Sequence, residues 1–217
     1  MDYQKIQLLQ LTQKSEFSRV SIPLPSSKSE SNRALVIDAL TEGENKIKNL
    51  AEARDTQTMI RLLHTNPAVF DVLDAGTTMR FLTAFVAVTN QQKVMTGTPR
   101  MCERPIGILV DALRSLGAEI HYLGVEGYPP LAVQGLSEQL TNQIRIRGDV
   151  SSQYISALLM IAPVLPQGLE LELEGKVGSR TYIEMTLQLM AQFGIASSWE
   201  GATIKIEPHA YQSTQFT

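Results

Sequence analysis

Apolar residues recur at helical spacing between Arg104 and Leu116, where Ile106, Leu109, Val110, Leu113 and Leu116 fall on one stripe. That i, i+3, i+4, i+7 pattern predicts a helix with one buried face. Pro105 suits its first turn and Gly117 the C′ position just beyond its end. The same reading predicts helices over 31–41, stopped by Gly43, over 55–64, 77–89 and 152–162, and over 182–193, stopped by Gly194. Shorter runs rich in β-branched and alternating residues predict strands over 46–50, 93–96, 119–123, 131–133, 143–147, 169–173, 196–199 and 203–207. Helices interleaved with short strands put the chain in the α/β (α+β) class.

Taken in order, the elements group into three passes of helix, strand, helix and two strands, at roughly 24–75, 76–149 and 150–209. The first helix of each pass opens on a small polar cluster: Ser27-Lys28-Ser29, Ala75-Gly76-Thr77-Thr78 and Ser151-Ser152-Gln153. The second opens beside an arginine, Arg54, Arg104 or Arg180. A helix start carries free N–H groups and the positive end of the helix dipole, so three such starts packed together would make a cavity for a polyanion.

Composition narrows the classes. The chain has 217 residues, 43% of them hydrophobic, enough core for one large domain or two small ones. Its longest apolar stretch, Ile155 to Leu165, is broken by Ser156 and Pro163 and falls short of the ~20 residues a membrane span needs. Met1 is followed by Asp2, Gln4 and Lys5 rather than by a basic and then apolar leader, so no secretory signal is read. A single cysteine, Cys102, rules out a disulfide within the chain and suits a reducing cytoplasm. His64, His121 and His209 are scattered, so no zinc ligand set is visible and no cofactor is expected. A net charge of −3 argues against a general nucleic-acid binder. Positive charge is instead local: Lys28, Arg33, Arg54, Arg80, Arg100, Arg104 and Arg180 fall at or near the loop-to-helix junctions, the arrangement that focuses a field on a small anion. The ordinary alternative is that several of these are solvated surface cations.

Each motif has such an alternative. Pro25-Ser26-Ser27-Lys28-Ser29-Glu30-Ser31-Asn32-Arg33 reads as an anion loop or as a plain serine cap. Asp74-Ala75-Gly76-Thr77-Thr78-Met79-Arg80 reads as a backbone platform that a ligand can approach, or as a turn with Asp74 as N-cap. In Pro99-Arg100-Met101-Cys102-Glu103-Arg104-Pro105-Ile106, two arginines can clamp a carboxylate or phosphate, or Glu103 can pair one of them. Cys102 is a packing residue or a thiol activated by those charges. Gly148-Asp149-Val150-Ser151-Ser152-Gln153-Tyr154 and Gly178-Ser179-Arg180-Thr181-Tyr182 repeat the theme. No G-x-x-x-x-G-K-[ST] loop and no G-x-G-x-x-G after a strand occurs, which removes the usual support for nucleotide hydrolysis and dinucleotide redox chemistry.

In this order and at these spacings, the motifs resemble those of the 5-enolpyruvylshikimate-3-phosphate synthase family, which transfers an enolpyruvyl group from phosphoenolpyruvate to shikimate 3-phosphate. The resemblance implies that Lys28, Ser29, Arg33, Ser151, Ser152, Gln153, Ser179 and Tyr182 hold shikimate 3-phosphate. It further implies that Lys28, Gly76, Arg104 and Gln153 meet phosphoenolpyruvate, with Lys28 the catalytic candidate. It implies an inverse α/β barrel-like domain of three βαβαββ units, one of the family's two domains, in a cytoplasmic and monomeric full-length enzyme with neither nucleic-acid nor membrane partner. Family members run to about twice this length, so residues 22–209 are expected to be the shikimate-phosphate-binding domain. Residues 1–21 would then be a leading segment belonging with the other domain, and 210–217 the start of the crossover. The family's acid/base carboxylates come from that other domain, so the chain alone is expected to bind substrate without turnover. Two departures stand out: Asp74 where the family usually carries asparagine, and Phe81 where many members carry proline. The alternatives are a sister transferase acting on UDP-N-acetylglucosamine, whose motifs resemble a Lys-Asn pair that Lys28-Ser29 does not match, and a non-catalytic anion-binding module.

Overall fold

A computed structural model describes residues 24–43 and 46–216; the expected leading segment 1–21 lies outside the described residues. The helices are α1 (Lys28–Leu40), α2 (Arg54–Thr65), α3 (Gly76–Val88), the single turn α4 (Pro99–Cys102), α5 (Gly107–Leu116), α6 (Ser152–Ile161) and α7 (Arg180–Gln192). The strands are β1 (Lys46–Ile47), β2 (Val69–Asp71), β3 (Lys93–Thr96), β4 (Ala118–Tyr122), β5 (Leu131–Leu136), β6 (Gln143–Arg147), β7 (Leu169–Glu174), β8 (Ser198–Glu200), β9 (Thr203–Ile206) and β10 (Gln215–Phe216).

Two complete βαβαββ units share one topology. In the first, the sheet order is β2-β3-β5-β4; in the second it is β6-β7-β9-β8. In both, the first two strands are parallel and the remaining pairings antiparallel. The third set is α1, β1 and α2. Here β1 lies between a buried and a half-exposed helix, as β3 and β7 do, and pairs in parallel with β10.

The helices are inside and the sheets outside. Both α3 and α6 are apolar around nearly their whole circumference and are buried from Thr78 to Ala87 and from Tyr154 to Ile161, the composition of a helix with no solvent face. The strands β4, β6 and β7 alternate buried and outward residues, so each sheet keeps one wet face. The second helix of each set, α2, α5 or α7, is buried along one stripe only. Among the described residues, no helix is long and apolar enough to cross a membrane.

Several boundaries differ from the sequence-based expectation. The helix expected from Arg104 starts at Gly107, because Thr98 caps a separate turn, α4, and the Ile106 and Gly107 N–H groups both donate to the Gly127 carbonyl, at 2.9 and 3.1 Å. Pro105 therefore precedes the helix. Gly117 does end it in the left-handed conformation, φ 111°. The strand expected over 46–50 stops at Ile47, ahead of Asn49 at φ 57°. β2 was not anticipated, and β6 opens the last unit rather than closing the middle pass, so unit boundaries fall earlier than the expected passes. Within 210–217, Tyr211 is buried with its hydroxyl donating to the Met160 carbonyl at 2.8 Å, and Gln215–Phe216 forms β10.

Candidate functional site

Four helix starts open onto one cleft of about 340 Å³. Its walls are Lys28, Ser29, Asn32 and Arg33 from α1, Thr77 from α3, Ser151, Ser152 and Gln153 at the head of α6, and Tyr182 from α7. Ser27 caps α1, its Oγ accepting from the Glu30 N–H at 3.3 Å, and Ser151 caps α6, accepting from the Gln153 N–H at 3.4 Å. Neither α3 nor α7 has a side-chain cap, so their first-turn N–H groups remain available to an anion. A smaller cleft of about 210 Å³ is lined by Asp74, Arg100, Met101 and Arg104. A larger depression, about 480 Å³, lies between α5 and β6, where Asp111 and Glu174 face the same space as Arg145 and Arg147. Size does not select the site; convergence of one sign of charge does.

Arg33 forms the floor of the first cleft. It is 3% exposed and its guanidinium is held on every side: Nε donates to Thr186 Oγ1 at 2.7 Å, Nη1 to the Ser29 carbonyl at 2.8 Å and Nη2 to Ser156 Oγ at 2.9 Å. Phe81 and Tyr182 stack within cation–π range, at 5.4 and 5.9 Å. Burial lowers its pKa to about 10, with Tyr182 and Glu30 offsetting only part, so it stays cationic at neutral pH. Phe81 thus has a defined task here as the apolar face against this cation.

Behind the smaller cleft lies Arg80, also buried. Its Nη1 donates to the Gly76 carbonyl at 3.1 Å and its Nη2 to the Pro105 carbonyl at 2.7 Å. Burial lowers its pKa, Tyr154 partly offsets this, and the Arg104 charge lowers it further. Arg104 itself lies over Gly76: a Cβ added there would stand 2.6 Å from the Arg104 Cζ. Only glycine lets that guanidinium approach the backbone so closely.

Among the described residues, Arg33, Arg80, Arg100 and Arg104 take part in no ion pair, whereas Arg114, Arg145, Arg147 and Arg180 all do. Unneutralised cations beside an open cleft are the electrostatic signature of an anion site. Lys28 is held loosely, its Nζ 3.3 Å from Asp55.

Of the residues singled out from sequence, Lys28, Ser29, Arg33, Ser151, Ser152, Gln153 and Tyr182 share the first cleft. Gly76 and Arg104 meet beside the second. Gln153 stands between them, its Nε2 donating to Thr77 Oγ1 at 3.1 Å, next to Gly76. Ser179 does not line either cleft; it is the residue before α7, its carbonyl accepting from the Tyr182 N–H at 3.1 Å. Arg180 is turned to Glu184 at 2.8 Å and to the Trp199 ring at 4.2 Å, and neither it nor Arg54 lines a cleft. Asp74 is not a helix cap; it accepts a short hydrogen bond from Thr98 Oγ1, tying the two loops of the smaller cleft together. Glu103 pairs neither arginine.

Two lining residues escaped the sequence reading. Asn32 is fully buried, accepts from Thr56 Oγ1 at 2.8 Å and leaves its Nδ2 without a partner, the kind of exception a bound ligand explains. Thr77 was seen only as part of a polar cluster. Its partner Gln153 is 76 residues away, and no local pattern reports such a contact.

A family model described as EPSP synthase (3-phosphoshikimate 1-carboxyvinyltransferase) matches residues 14–67 and 64–217. The 3-phosphoshikimate 1-carboxyvinyltransferase of Bacteroides fragilis strain YCH46 is 51% identical over 200 residues, covering 92% of this chain and 48% of that protein. The protein of the same name from Bordetella pertussis strain Tohama I is 41% identical over 217 residues, covering 86% and 49%. A solved EPSP synthase from Acinetobacter baumannii superimposes with a TM-score of 0.77 at 21% identity, covering 89% of this chain and 48% of that one; this likeness speaks to fold. The chain spans about half the length of the curated relatives it matches. With the family model running from residue 14 to the last residue and half the positions shared with a named relative, the chain belongs to the EPSP synthase family.

Proposed function

We propose that this chain supplies the shikimate 3-phosphate-binding half of a 3-phosphoshikimate 1-carboxyvinyltransferase, with residues 22–209 as that domain. Lys28, Ser29, Arg33, Ser151, Ser152, Gln153 and Tyr182 hold shikimate 3-phosphate, with Ser179, outside the cleft lining at the head of α7, reaching the same ligand; Lys28, Gly76, Arg104 and Gln153 meet phosphoenolpyruvate. The observation that carries this reading is the pair of adjoining clefts, one floored by a buried guanidinium and the other walled by two arginines, all three without an ion-pair partner among the described residues. Two clefts of this size suit two small anions rather than one extended polymer.

In the transfer, the acceptor hydroxyl attacks C2 of phosphoenolpyruvate while C3 takes a proton. The resulting tetrahedral ketal phosphate then loses a proton from C3 as its C2–O bond to phosphate breaks, forming the product enol ether and releasing inorganic phosphate. The hydroxyl proton lost in the attack and this C3 proton pass to the acid/base groups expected from the other domain. This chain's contribution is electrostatic and positional. Arg33 and Lys28 neutralise the sugar-like phosphate ester, and Arg104 over the Gly76 platform holds the second phosphate or carboxylate. Gln153, bonded to Thr77, fixes the distance between the two. Two carboxylates beside the clefts are engaged, Asp55 with Lys28 and Asp74 with Thr98, and the acid/base carboxylates are expected from the other domain, so the 217-residue polypeptide binds shikimate 3-phosphate and does not turn over alone. A cytoplasmic location and a monomeric full-length enzyme accompany this reading.

Calorimetric titration with shikimate 3-phosphate, alone and with the complementary domain of a relative, tests it. Saturable one-site binding without turnover, and turnover on adding the second domain, is the expected result. Turnover by the polypeptide alone, or no binding under either condition, refutes it.

A further inference from the structure

The first turn of α6 is joined to both sides of the smaller cleft. Gln153 reaches Thr77, beside Gly76. The next residue, Tyr154, is buried, and its hydroxyl donates to the Pro105 carbonyl at 2.7 Å, beside Arg104. That carbonyl is also the acceptor for Arg80 Nη2 at 2.7 Å, and the Arg80 guanidinium lies 5.9 Å from the Tyr154 ring centroid.

The peptide carrying Arg104 needs such a clamp. It connects α4 to α5, belongs to neither helix, and its Arg104 side chain is exposed and unpaired among the described residues. Two buried donors converging on the Pro105 carbonyl, with the Ile106 N–H of the same peptide and the Gly107 N–H both donating to Gly127, pin the backbone just after Pro105, while the Arg104 N–H donates to the Met101 carbonyl at 3.1 Å just before it. A long cation over an anion cleft loses rotamer freedom when it binds, so fixing its backbone lowers that cost.

We propose that Tyr154 is a positioning residue: its hydroxyl, through the Pro105 carbonyl, holds Arg104 over Gly76 and so ties the second anion subsite to the helix start that lines the first. The inference rests on the two-subsite reading above and adds to it a residue that touches neither substrate. Because Arg80 holds the same carbonyl, losing the Tyr154 hydroxyl loosens the turn without releasing it. The effect is therefore confined to the ligand of Arg104.

The test is a double-variant cycle on this chain, Tyr154→Phe and Arg104→Ala singly and together. Phosphoenolpyruvate is titrated in saturating shikimate 3-phosphate, and shikimate 3-phosphate is titrated alone. Tyr154→Phe keeps the ring against Arg80 and is expected to weaken phosphoenolpyruvate about tenfold, the scale of a small misplacement of a binding group. It leaves shikimate 3-phosphate affinity within about twofold and has no further effect once Arg104 is alanine. Undiminished phosphoenolpyruvate affinity in Tyr154→Phe overturns the inference, as does an equal loss in the Arg104→Ala background, which marks a general packing effect. A wild-type chain that binds shikimate 3-phosphate but no phosphoenolpyruvate overturns the two-subsite reading and the inference with it.

Discussion

Lys28→Met separates binding from folding more cleanly than any other substitution in the first cleft. Among the described residues Lys28 has one partner, Asp55 at 3.3 Å, and the two side chains are 48% and 25% exposed, so the ion pair contributes about 0–1 kcal/mol to stability. The cost to binding is larger. A cation touching a phosphate, at ~4 Å and an effective dielectric of ~20, gains about 4 kcal/mol of Coulomb energy. Losing the lysine's own hydration on binding returns part of that, leaving about 2–3 kcal/mol, or about a 30- to 160-fold weaker dissociation constant. Freed of its partner, Asp55 then faces the incoming anion, so Lys28→Met/Asp55→Asn should recover several-fold of the loss. Calorimetry with shikimate 3-phosphate at fixed ionic strength measures the first quantity and thermal melts measure the second. Binding within threefold of wild type, or a melt lowered by the equivalent of more than about 2 kcal/mol, refutes the assignment of Lys28 to the ligand rather than to the fold.

Gly76→Ala puts a Cβ where the Arg104 guanidinium now lies; because that side chain is exposed and can swing aside, stability is expected to change by less than about 1 kcal/mol, while phosphoenolpyruvate binding falls and shikimate 3-phosphate binding does not. Asp74→Asn removes a negative charge from the wall of the smaller cleft and keeps an acceptor for Thr98, so phosphate and phosphoenolpyruvate affinity should rise about 3- to 10-fold in titrations at low salt. Tyr211 is raised well above its ordinary pKa of 10.0 by burial. The folded state therefore keeps its proton where the unfolded chain loses it, and stability that is intact below pH 10 falls above it, by up to about 1.4 kcal/mol per pH unit. Urea melts from pH 8 to 11 should show that slope flattened in Tyr211→Phe. An unchanged slope would mean that the tail carrying Tyr211 is not packed as described.

The α/β class was legible from helical and strand periods alternating along the chain, whereas the inside-out arrangement was expected only from the family resemblance; its physical basis is that α3 and α6 are apolar nearly all round while β6 and β7 alternate. Gly117 and Gly194 ended their helices as expected because each adopts a left-handed conformation that other residues resist. β2 was not legible: it has three residues, with only Phe70 turned inward, too few for a period of two to show. The late start of α5 was hidden by Pro105, which fits a first helical turn, and was decided instead by the Gly127 carbonyl on a distant loop. Helix starts were readable as anion loops, since the residue types that favour them are few. Which cations faced the cleft was only partly readable: Glu184 four residues after Arg180 is a local pairing that the sequence displays, whereas the Trp199 ring over Arg180, and the lack of an ion-pair partner for Arg104 among the described residues, are tertiary facts. The Tyr154–Pro105 link was invisible for a further reason, because a backbone carbonyl as acceptor leaves no mark on residue identity.

The central claim is that helix starts distant in the chain act as one receptor for a phosphorylated ring. Amide chemical-shift mapping of the labelled chain during titration with shikimate 3-phosphate tests it directly. The account predicts saturable shifts concentrated at residues 28–33, 77, 151–154 and 179–182, moving together on one binding curve. Shifts confined to the groove between α5 and β6, or separate curves for the four helix starts, would contradict it.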